Sequence, residues 1–294
     1  MRKQWGFVLG LWLFGCDDPL KNVELVAEPR VLGARVEVLN DPGRAAPAPG
    51  ETATVTFLLA SPALEQTLGF ALSACPAATR QGARTECAAE PFAQVTSADG
   101  EAEIASLSFD VPADLEASGR IAVQGILCPF GSPNQEGTAC DGVETGTSVT
   151  LALELSRDGD VNLNPTLEPE SLSFDDQAWP DLPAGEGDCT GLGYAEVAAG
   201  SEHTFQVVLD ELDRDAVPHP QALDPTRESL QLSHFATAGN LSRAFESIAW
   251  DSDELVRRTT WTAPKQPGLV RFWLVLRDLR AGSDFLERSV CVLE

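Results

Sequence analysis

The chain has 294 residues, of which 43% are hydrophobic and 22% are charged, and its formal net charge is −25. The hydrophobic fraction argues against a disordered chain despite this charge, and the length suffices for two ordinary domains. A surface this acidic repels nucleic acid and anionic lipid, so we expect no nucleic-acid partner.

The first sixteen residues have the three parts of a secretory signal. Residues 1–4 form a short basic head, and an uncharged apolar run follows it. The run ends in Leu13-Phe14-Gly15-Cys16, which resembles the lipobox of bacterial lipoproteins, with Phe14 in place of the usual small residue. The resemblance implies that residues 1–15 are removed as a lipoprotein signal peptide and that Cys16 is lipidated.

Membrane attachment would rest on Cys16, because no later apolar run approaches the roughly 20 residues that span a bilayer. Stable anchoring takes more than one acyl chain, and a lipobox cysteine typically carries three. Residues 16–24 would then be a short tether. We expect a lipid-anchored protein of the cell envelope, on the outer membrane, at its periplasmic or surface face. Asp17 resembles the inner-membrane retention signal of enteric bacteria, so the inner membrane is the alternative.

The cysteine count supports export. Of seven cysteines, assigning Cys16 to lipid leaves six, an even number for which fifteen connectivities exist. A zinc site is the competing interpretation, but the sequence contains no Cys-x-x-Cys pair and no histidine near a cysteine at ligand spacing. Local pairing is the simplest scheme, and it predicts the disulfides Cys75–Cys87, Cys128–Cys140 and Cys189–Cys291.

Short alternating segments predict β-strands. In residues 52–59, Val55, Phe57 and Leu59 share one face, and residues 148–155 alternate as cleanly. No convincing helical period accompanies them, so the fold class is all-β with a β-sandwich in each half. The predicted domains are residues 25–157 and residues 166–294, joined by a linker at residues 158–165.

The linker carries candidate calcium ligands. Residues 160–165 read Asp-Val-Asn-Leu-Asn-Pro, which resembles the Asp-x-Asn-Asp-Asn linker of cadherins, with Leu163 where an aspartate is expected. Calcium takes several oxygen ligands, and extracellular modules bind it at about 10⁻⁴–10⁻³ M. The alternative is that Asp, Asn and Gly are ordinary linker residues. The candidate ligands are Asp158, Asp160, Asn162 and Asn164.

The end of the chain has a second recognisable pattern. Residues 269–277 are apolar on both faces, which predicts a central strand. The run from Trp261 to Asp278 contains Trp-x-Ala-Pro, a Pro-Gly turn, this strand and then a glycine-containing hairpin, and it resembles the end of bacterial Ig-like domains. The resemblance implies two tandem Ig-like sandwiches, with Cys291 tying the last strand to the loop of Cys189. Together with the lipobox, the chain resembles uncharacterised surface lipoproteins of myxobacterial type.

The sequence offers little chemistry. It contains no Gly-x-Ser-x-Gly elbow, phosphate-binding glycine loop or His-Glu-x-x-His motif, and His203, His219 and His234 lie apart. We therefore expect a structural, adhesive or binding role without catalysis, toward an unknown protein or glycan. One alternative is an accessory subunit of an envelope secretion or transport complex. A second is a hydrolase whose site is assembled from loops.

Overall fold

A computed structural model describes residues 23–63, 67–78, 85–102, 104–115, 119–142, 146–156, 161–182, 184, 188–217 and 226–294. These residues form two β-sandwiches, which confirms the all-β class. The signal sequence, Cys16 and His219 lie outside them. None of the helical segments in this part of the chain is long and apolar enough to cross a membrane.

The first sandwich is built from short strands separated by turns. One sheet has the strand order β1-β2-β5 and the other β4-β3-β6-β9, and β7 and β8 form a small separate pair. The strands are β1 (Arg30–Val38), β2 (Thr52–Ala60), β3 (Leu68–Pro76), β4 (Ala93–Ala102), β5 (Ala105–Asp110), β6 (Arg120–Pro129), β7 (Ser132–Pro133), β8 (Cys140–Asp141) and β9 (Thr147–Glu154).

The alternation in β2 explains why this sandwich closes. Val55 and Phe57 lie in the core between the two sheets, while Thr54 on the opposite face is hydrogen-bonded to Ser108 of β5. The three-stranded sheet β1-β2-β5 faces the four-stranded sheet β4-β3-β6-β9, in which the last strand, β9, lies at an edge. This arrangement is that of immunoglobulin-like sandwiches.

The second sandwich follows the same plan. Its sheets have the orders β11-β10-β13-β19-β17 and β12-β21-β20-β16-β18, with β14 and β15 as a separate pair. Single 3-10 turns lie at Pro169–Ser171 and Glu211–Asp213. The strands are β10 (Leu172–Phe174), β11 (Gln177–Ala178), β12 (Ala195–Ala198), β13 (Glu202–Val208), β14 (Ala216–Val217), β15 (Thr226–Arg227), β16 (Leu230–Ala236), β17 (Asn240–Leu241), β18 (Phe245–Ile248), β19 (Val256–Thr262), β20 (Gly268–Arg277) and β21 (Ser283–Leu293).

Aromatic side chains fill the core of the second sandwich. Trp179 lies 5.1 Å from Phe174, 5.4 Å from Phe205 and 5.2 Å from Phe272, ring centre to ring centre. Trp261 meets Phe272 edge to face at 5.0 Å. Such tilted and edge-to-face pairs stabilise a core beyond the area they bury.

Three disulfides form in the pairs expected from local spacing, and each of them lies within a single sandwich. Two of them close short loops that follow β3 and β6 in the first sandwich. The third joins Cys189, in the connection before β12, to Cys291 in the last strand. It therefore ties a loop to an inner strand of one sheet, unlike the inter-sheet disulfide of antibody domains.

Candidate functional site: the junction of the two sandwiches

The strand β20 is apolar on both faces because it is covered on both faces. Val270, Phe272, Leu274 and Leu276 point into the core of the second sandwich. Trp273 and Val275 point the other way, against the outer face of the β1-β2-β5 sheet of the first sandwich. The buried residues of this junction are Val26, Leu32, Ala60, Trp273 and Val275.

Arg271 holds one end of the junction. Its Nη1 donates hydrogen bonds of 2.9 Å to the carbonyl oxygens of Ser61 and Ala63, in the first sandwich. Its guanidinium also pairs with Glu287 at 2.8 Å and lies 4.8 Å from the Trp273 ring centre. Glu287 accepts a 3.0 Å hydrogen bond from Trp273 Nε1. The Trp273 indole is thus held by Arg271 against its ring face and by the hydrogen bond from its N–H group to Glu287.

Asp284 holds the other end. One oxygen pairs with Arg35 of β1 at 2.9 Å, and the other accepts a 2.8 Å hydrogen bond from the Leu167 N–H. The neighbouring Ser283 hydroxyl donates to the Ala34 carbonyl oxygen at 2.5 Å. The hairpin between β20 and β21 thus contacts both the first sandwich and the chain that leads out of the linker.

The linker is packed into this junction by its asparagines. Asn164 is 7% exposed. Its Nδ2 donates to the Val36 carbonyl oxygen at 2.6 Å, and its Oδ1 accepts from the Ser283 N–H at 3.1 Å. Asn162 Nδ2 donates to the Arg280 carbonyl oxygen at 3.3 Å. One amide side chain therefore joins a strand of the first sandwich to the hairpin of the second.

The chain enters the structure at the same junction. Val26 N–H donates to the Ala236 carbonyl oxygen at 2.8 Å, and Ala236 N–H donates to the Glu24 carbonyl oxygen at 2.9 Å. The last residue of the expected tether and the residues just after it are therefore paired with β16 of the second sandwich before the chain begins β1.

The expected calcium ligands are only partly within the structure. Asp158 and Asp160 lie outside the described residues, and the Asn164 oxygen is hydrogen-bonded to Ser283. Within the described ranges, no group of three or more His, Cys, Asp or Glu side chains is placed to hold a metal ion. Calcium binding stays a prediction.

Carboxylates of the second sandwich cap the linker backbone. Asp213 accepts a hydrogen bond from the Thr166 N–H, and Asp215 accepts one from the Leu163 N–H, both at 2.9 Å. Burial raises the pKa of Asp213 to about 6, although the Thr166 hydrogen bond opposes the rise. The linker is thus held by acidic groups as well as by its asparagines.

Glu228 is an acid buried beside this linker. It is 3% exposed, and burial, followed by the nearby Asp278 and Asp215 carboxylates, raises its pKa to about 8. Arg280 opposes the rise from 3.7 Å away. Burial also raises the pKa of Asp278. Desolvation thus raises the pKa of both neighbouring carboxyl groups, and at Glu228 repulsion from the Asp278 and Asp215 carboxylates adds to the rise.

A serine, a histidine and an aspartate contact one another away from the junction. Ser201 Oγ lies 2.6 Å from His203 Nε2, and His203 Nδ1 lies 2.6 Å from Asp175 Oδ2. The order of contacts is that of a catalytic triad. The Ser201 hydroxyl is also hydrogen-bonded to the Ala198 carbonyl oxygen, so its proton has a second acceptor.

The surroundings of this set fit a structural link better than acyl transfer. The Gly200 and Ser201 N–H groups donate to the Pro264 and Ala198 carbonyl oxygens, so neither is available to stabilise an oxyanion. Burial opposes ionisation of Asp175, but hydrogen bonds from His203 and the Thr204 N–H outweigh it and lower its pKa. The set joins the end of β10 to the start of β13.

The remaining described histidine is a core residue. His234 is 1% exposed in β16, and its ring meets Phe205 edge to face at 5.2 Å. Burial lowers its pKa to about 4, so the imidazole is neutral at physiological pH. These apolar surroundings explain how a neutral histidine fits at a strand position whose preceding neighbours on the same face are leucines.

Comparisons with known proteins add little to this geometry. No family model matches the chain, and no curated protein matches it. Solved structures with some likeness include the D00-D0 domain of intimin, at 8% identity and a TM-score of 0.27, covering 89% of this chain and 100% of that one. The adhesin InvE of Yersinia pseudotuberculosis has 10% identity and a TM-score of 0.22, covering 87% and 58%. A red sea bream transglutaminase has 14% identity and a TM-score of 0.23, covering 90% and 32%. Likenesses this distant carry no argument about function.

The junction residues were missed at the sequence level, although a signal for them existed. A strand with apolar side chains on both faces, such as β20, must be covered twice, and Trp273 is the largest residue on its second face. The partner surface on β1 and β2 could not be identified, because Leu32, Leu58 and Ala60 look like ordinary strand residues.

Replacing Asn164 should destabilise the junction. In Asn164→Ala, the Val36 carbonyl and the Ser283 N–H lose their shared partner, and each unsatisfied buried group costs about 1–3 kcal/mol. The free energy of unfolding, measured by urea denaturation, should fall accordingly. The control is Asn134→Ala, whose side chain bonds only solvent-exposed groups of a loop. Equal losses in the two variants would contradict a role for Asn164 in joining the sandwiches.

Stability should fall as pH rises, partly because of Glu228. Its pKa rises from 4.5 to about 8 on folding, so its contribution is complete below pH 4.5 and is lost as the pH approaches 8. Glu228→Gln stays neutral, so it should be more stable than the natural protein at pH 9 and similar to it at pH 5. Urea unfolding at both pH values measures this difference, with exposed Glu154→Gln as the control. A difference that does not depend on pH would count against a neutral, buried Glu228.

Proposed function

We propose that the chain is a lipid-anchored protein of the cell envelope with a structural, adhesive or binding role and no catalytic step. The observation that carries this proposal is the junction, where buried side chains and a hydrogen-bonded linker hold the two sandwiches together. A rigid pair of sandwiches on a short tether suits the display of a binding surface near a membrane.

The lipobox-like sequence supplies the attachment in this proposal. Cys16 would carry the acyl chains, and residues 17–22 would separate the lipid from the first described residue, Val23. The proposed location is the outer membrane, at its periplasmic or surface face, with the inner membrane as the alternative that Asp17 suggests. The acidic surface would be kept in solution, away from anionic headgroups.

A subunit role in an envelope secretion or transport complex is the alternative within the same setting. Both roles need a partner, and they differ in whether the complex with that partner is permanent. A stable complex recovered from detergent-solubilised envelopes would favour the subunit role. A monomer accessible to protease on intact cells would favour adhesion or display.

The hydrolase alternative is weakened by the geometry around Ser201. A serine nucleophile needs donors directed at the developing oxyanion, and the two nearest N–H groups along the chain already serve backbone carbonyls. The role proposed here therefore leaves Ser201, His203 and Asp175 as a link between strands.

Calcium is proposed as a further stabiliser of the linker, through the oxygens of Asp158 and Asp160 together with the neighbouring asparagines. Adding calcium at about 10⁻³ M should raise the melting temperature and should reduce the radius of gyration measured by small-angle scattering. Asp158→Asn with Asp160→Asn should abolish this response, whereas Asp251→Asn with Asp253→Asn should preserve it. No response to calcium in the natural protein would remove the proposal.

The membrane anchor is tested at Cys16. Cys16→Ala should abolish lipid labelling with a radioactive or alkynyl fatty acid and should move the protein from the membrane fraction to the soluble fraction, because acyl chains supply the attachment. Gln4→Ala, in the basic head, should leave both properties unchanged. Membrane attachment that persists in Cys16→Ala, or processing that resists an inhibitor of the lipoprotein signal peptidase, would contradict the anchor.

A further inference from the structure

An open groove runs along one side of the first sandwich, between its first and last strands. It has a volume of about 430 Å³, within the range of ligand-binding pockets. Val31 and Ala34 of β1 and Val149 and Leu151 of β9 line it, together with Phe57 of β2. All five side chains belong to or pack against the core of this sandwich, so the core is accessible to solvent here.

In the second sandwich, the corresponding place between β10 and β21 is occupied by a side chain. Trp179 inserts there, is 3% exposed, and donates a 3.2 Å hydrogen bond from Nε1 to the Ser289 carbonyl oxygen of the last strand. The short strand β12 also pairs in parallel with the end of β21, with Ala195 opposite Val290. An aromatic side chain and an added strand thus complete this sandwich.

In the first sandwich, the connection that could fill the groove is shorter than its counterpart in the second sandwich, and it lacks an aromatic residue. It runs over residues 39–51, and the side chains that it buries are Ala45, Ala46 and Pro47. One backbone hydrogen bond, from the Ser156 N–H to the Pro47 carbonyl oxygen, links it to the chain just after that strand. The part of the groove beside residues 148–151 stays open.

The strand that borders the groove is also a free sheet edge. β9 pairs with β6 on one side, and no strand among the described residues pairs with its other side. A free edge offers a row of backbone donors and acceptors to an incoming extended segment. Recognition by strand addition takes its affinity from such an edge and its specificity from the adjoining pockets.

We propose that an extended segment of a partner protein pairs with β9 and inserts an aromatic side chain into the groove, as Trp179 does within the second sandwich. The net charge of −25 of the whole chain favours basic residues at the ends of that segment, away from Arg277, which is the charged residue among those that line the groove. The groove is also lined by Leu32, Arg277 and Ser283 of the junction, so the segment would contact both sandwiches. This inference deepens the proposed binding role and rests on it.

The test uses the purified mature protein and a defined probe, the fluorescein-labelled peptide Lys-Thr-Val-Thr-Trp-Thr-Val-Thr-Lys. We expect saturable binding by fluorescence anisotropy, lost when alanine replaces the tryptophan of the peptide, and slower amide hydrogen exchange in residues 147–154. Ala34→Phe fills the groove and should weaken binding at least about tenfold, because a buried aromatic anchor dominates such contacts. Ala178→Phe, at an exposed site on β11, should leave the affinity unchanged.

A second variant guards against misfolding of Ala34→Phe. Thr150 is exposed at the groove, so Thr150→Lys should fold normally and should weaken binding of the basic peptide by charge repulsion. No saturable binding up to about 1 mM, or protection outside β9, would overturn the proposal. Concentration-dependent protection of β9 without peptide would also overturn it, and would assign the groove to a second copy of the chain. Peptide binding is measured in solution, so a negative result would not contradict the proposed lipid anchor. The Cys16 experiment likewise does not test binding in the groove.

Discussion

The second face of β20 is the constraint on which the arrangement of the two sandwiches depends. On an isolated second sandwich, Trp273 and Val275 would face water, and burying side chains of this kind stabilises a fold by about 1.5–3 kcal/mol each. The β1-β2-β5 sheet supplies the cover, so that sheet is packed on both of its faces. Arg271 and Asp284 then set the angle of contact, since each bonds to groups on the first sandwich.

The linker takes its conformation from that contact. The Asn164 amide and the Leu163 N–H enter a region where burial makes an unsatisfied polar group costly, and both find partners in the neighbouring sandwiches. Val36 and Ser283 are the partners of the Asn164 amide, and the carboxylates of Asp215 and Asp213 accept from the N–H groups of Leu163 and Thr166. The polar residues that look typical of a solvated linker thus belong to a buried one, and burial in the same region raises the pKa values of Asp213, Glu228 and Asp278.

Periodicity in the sequence was enough to identify β2, β9 and β20 and to predict a sandwich in each half, because alternation reports which face of a strand is buried. It did not identify β4, whose residues Ala93–Ala102 are mostly small or polar. It also could not reveal that Ser201, His203 and Asp175 meet, since their contact depends on the register between β10 and β13. The junction likewise depends on contacts between distant parts of the chain, which local patterns do not encode.

The pairing of Val26 with Ala236 has a consequence for the order in which the protein is completed. The first described residues of the chain find their backbone partners on a strand that is synthesised near the end. A first sandwich that folds as it emerges therefore does so with its leading segment unpaired. That segment is secured only after the second sandwich has formed, so a product truncated before β16 would leave Glu24 and Val26 without their backbone partners.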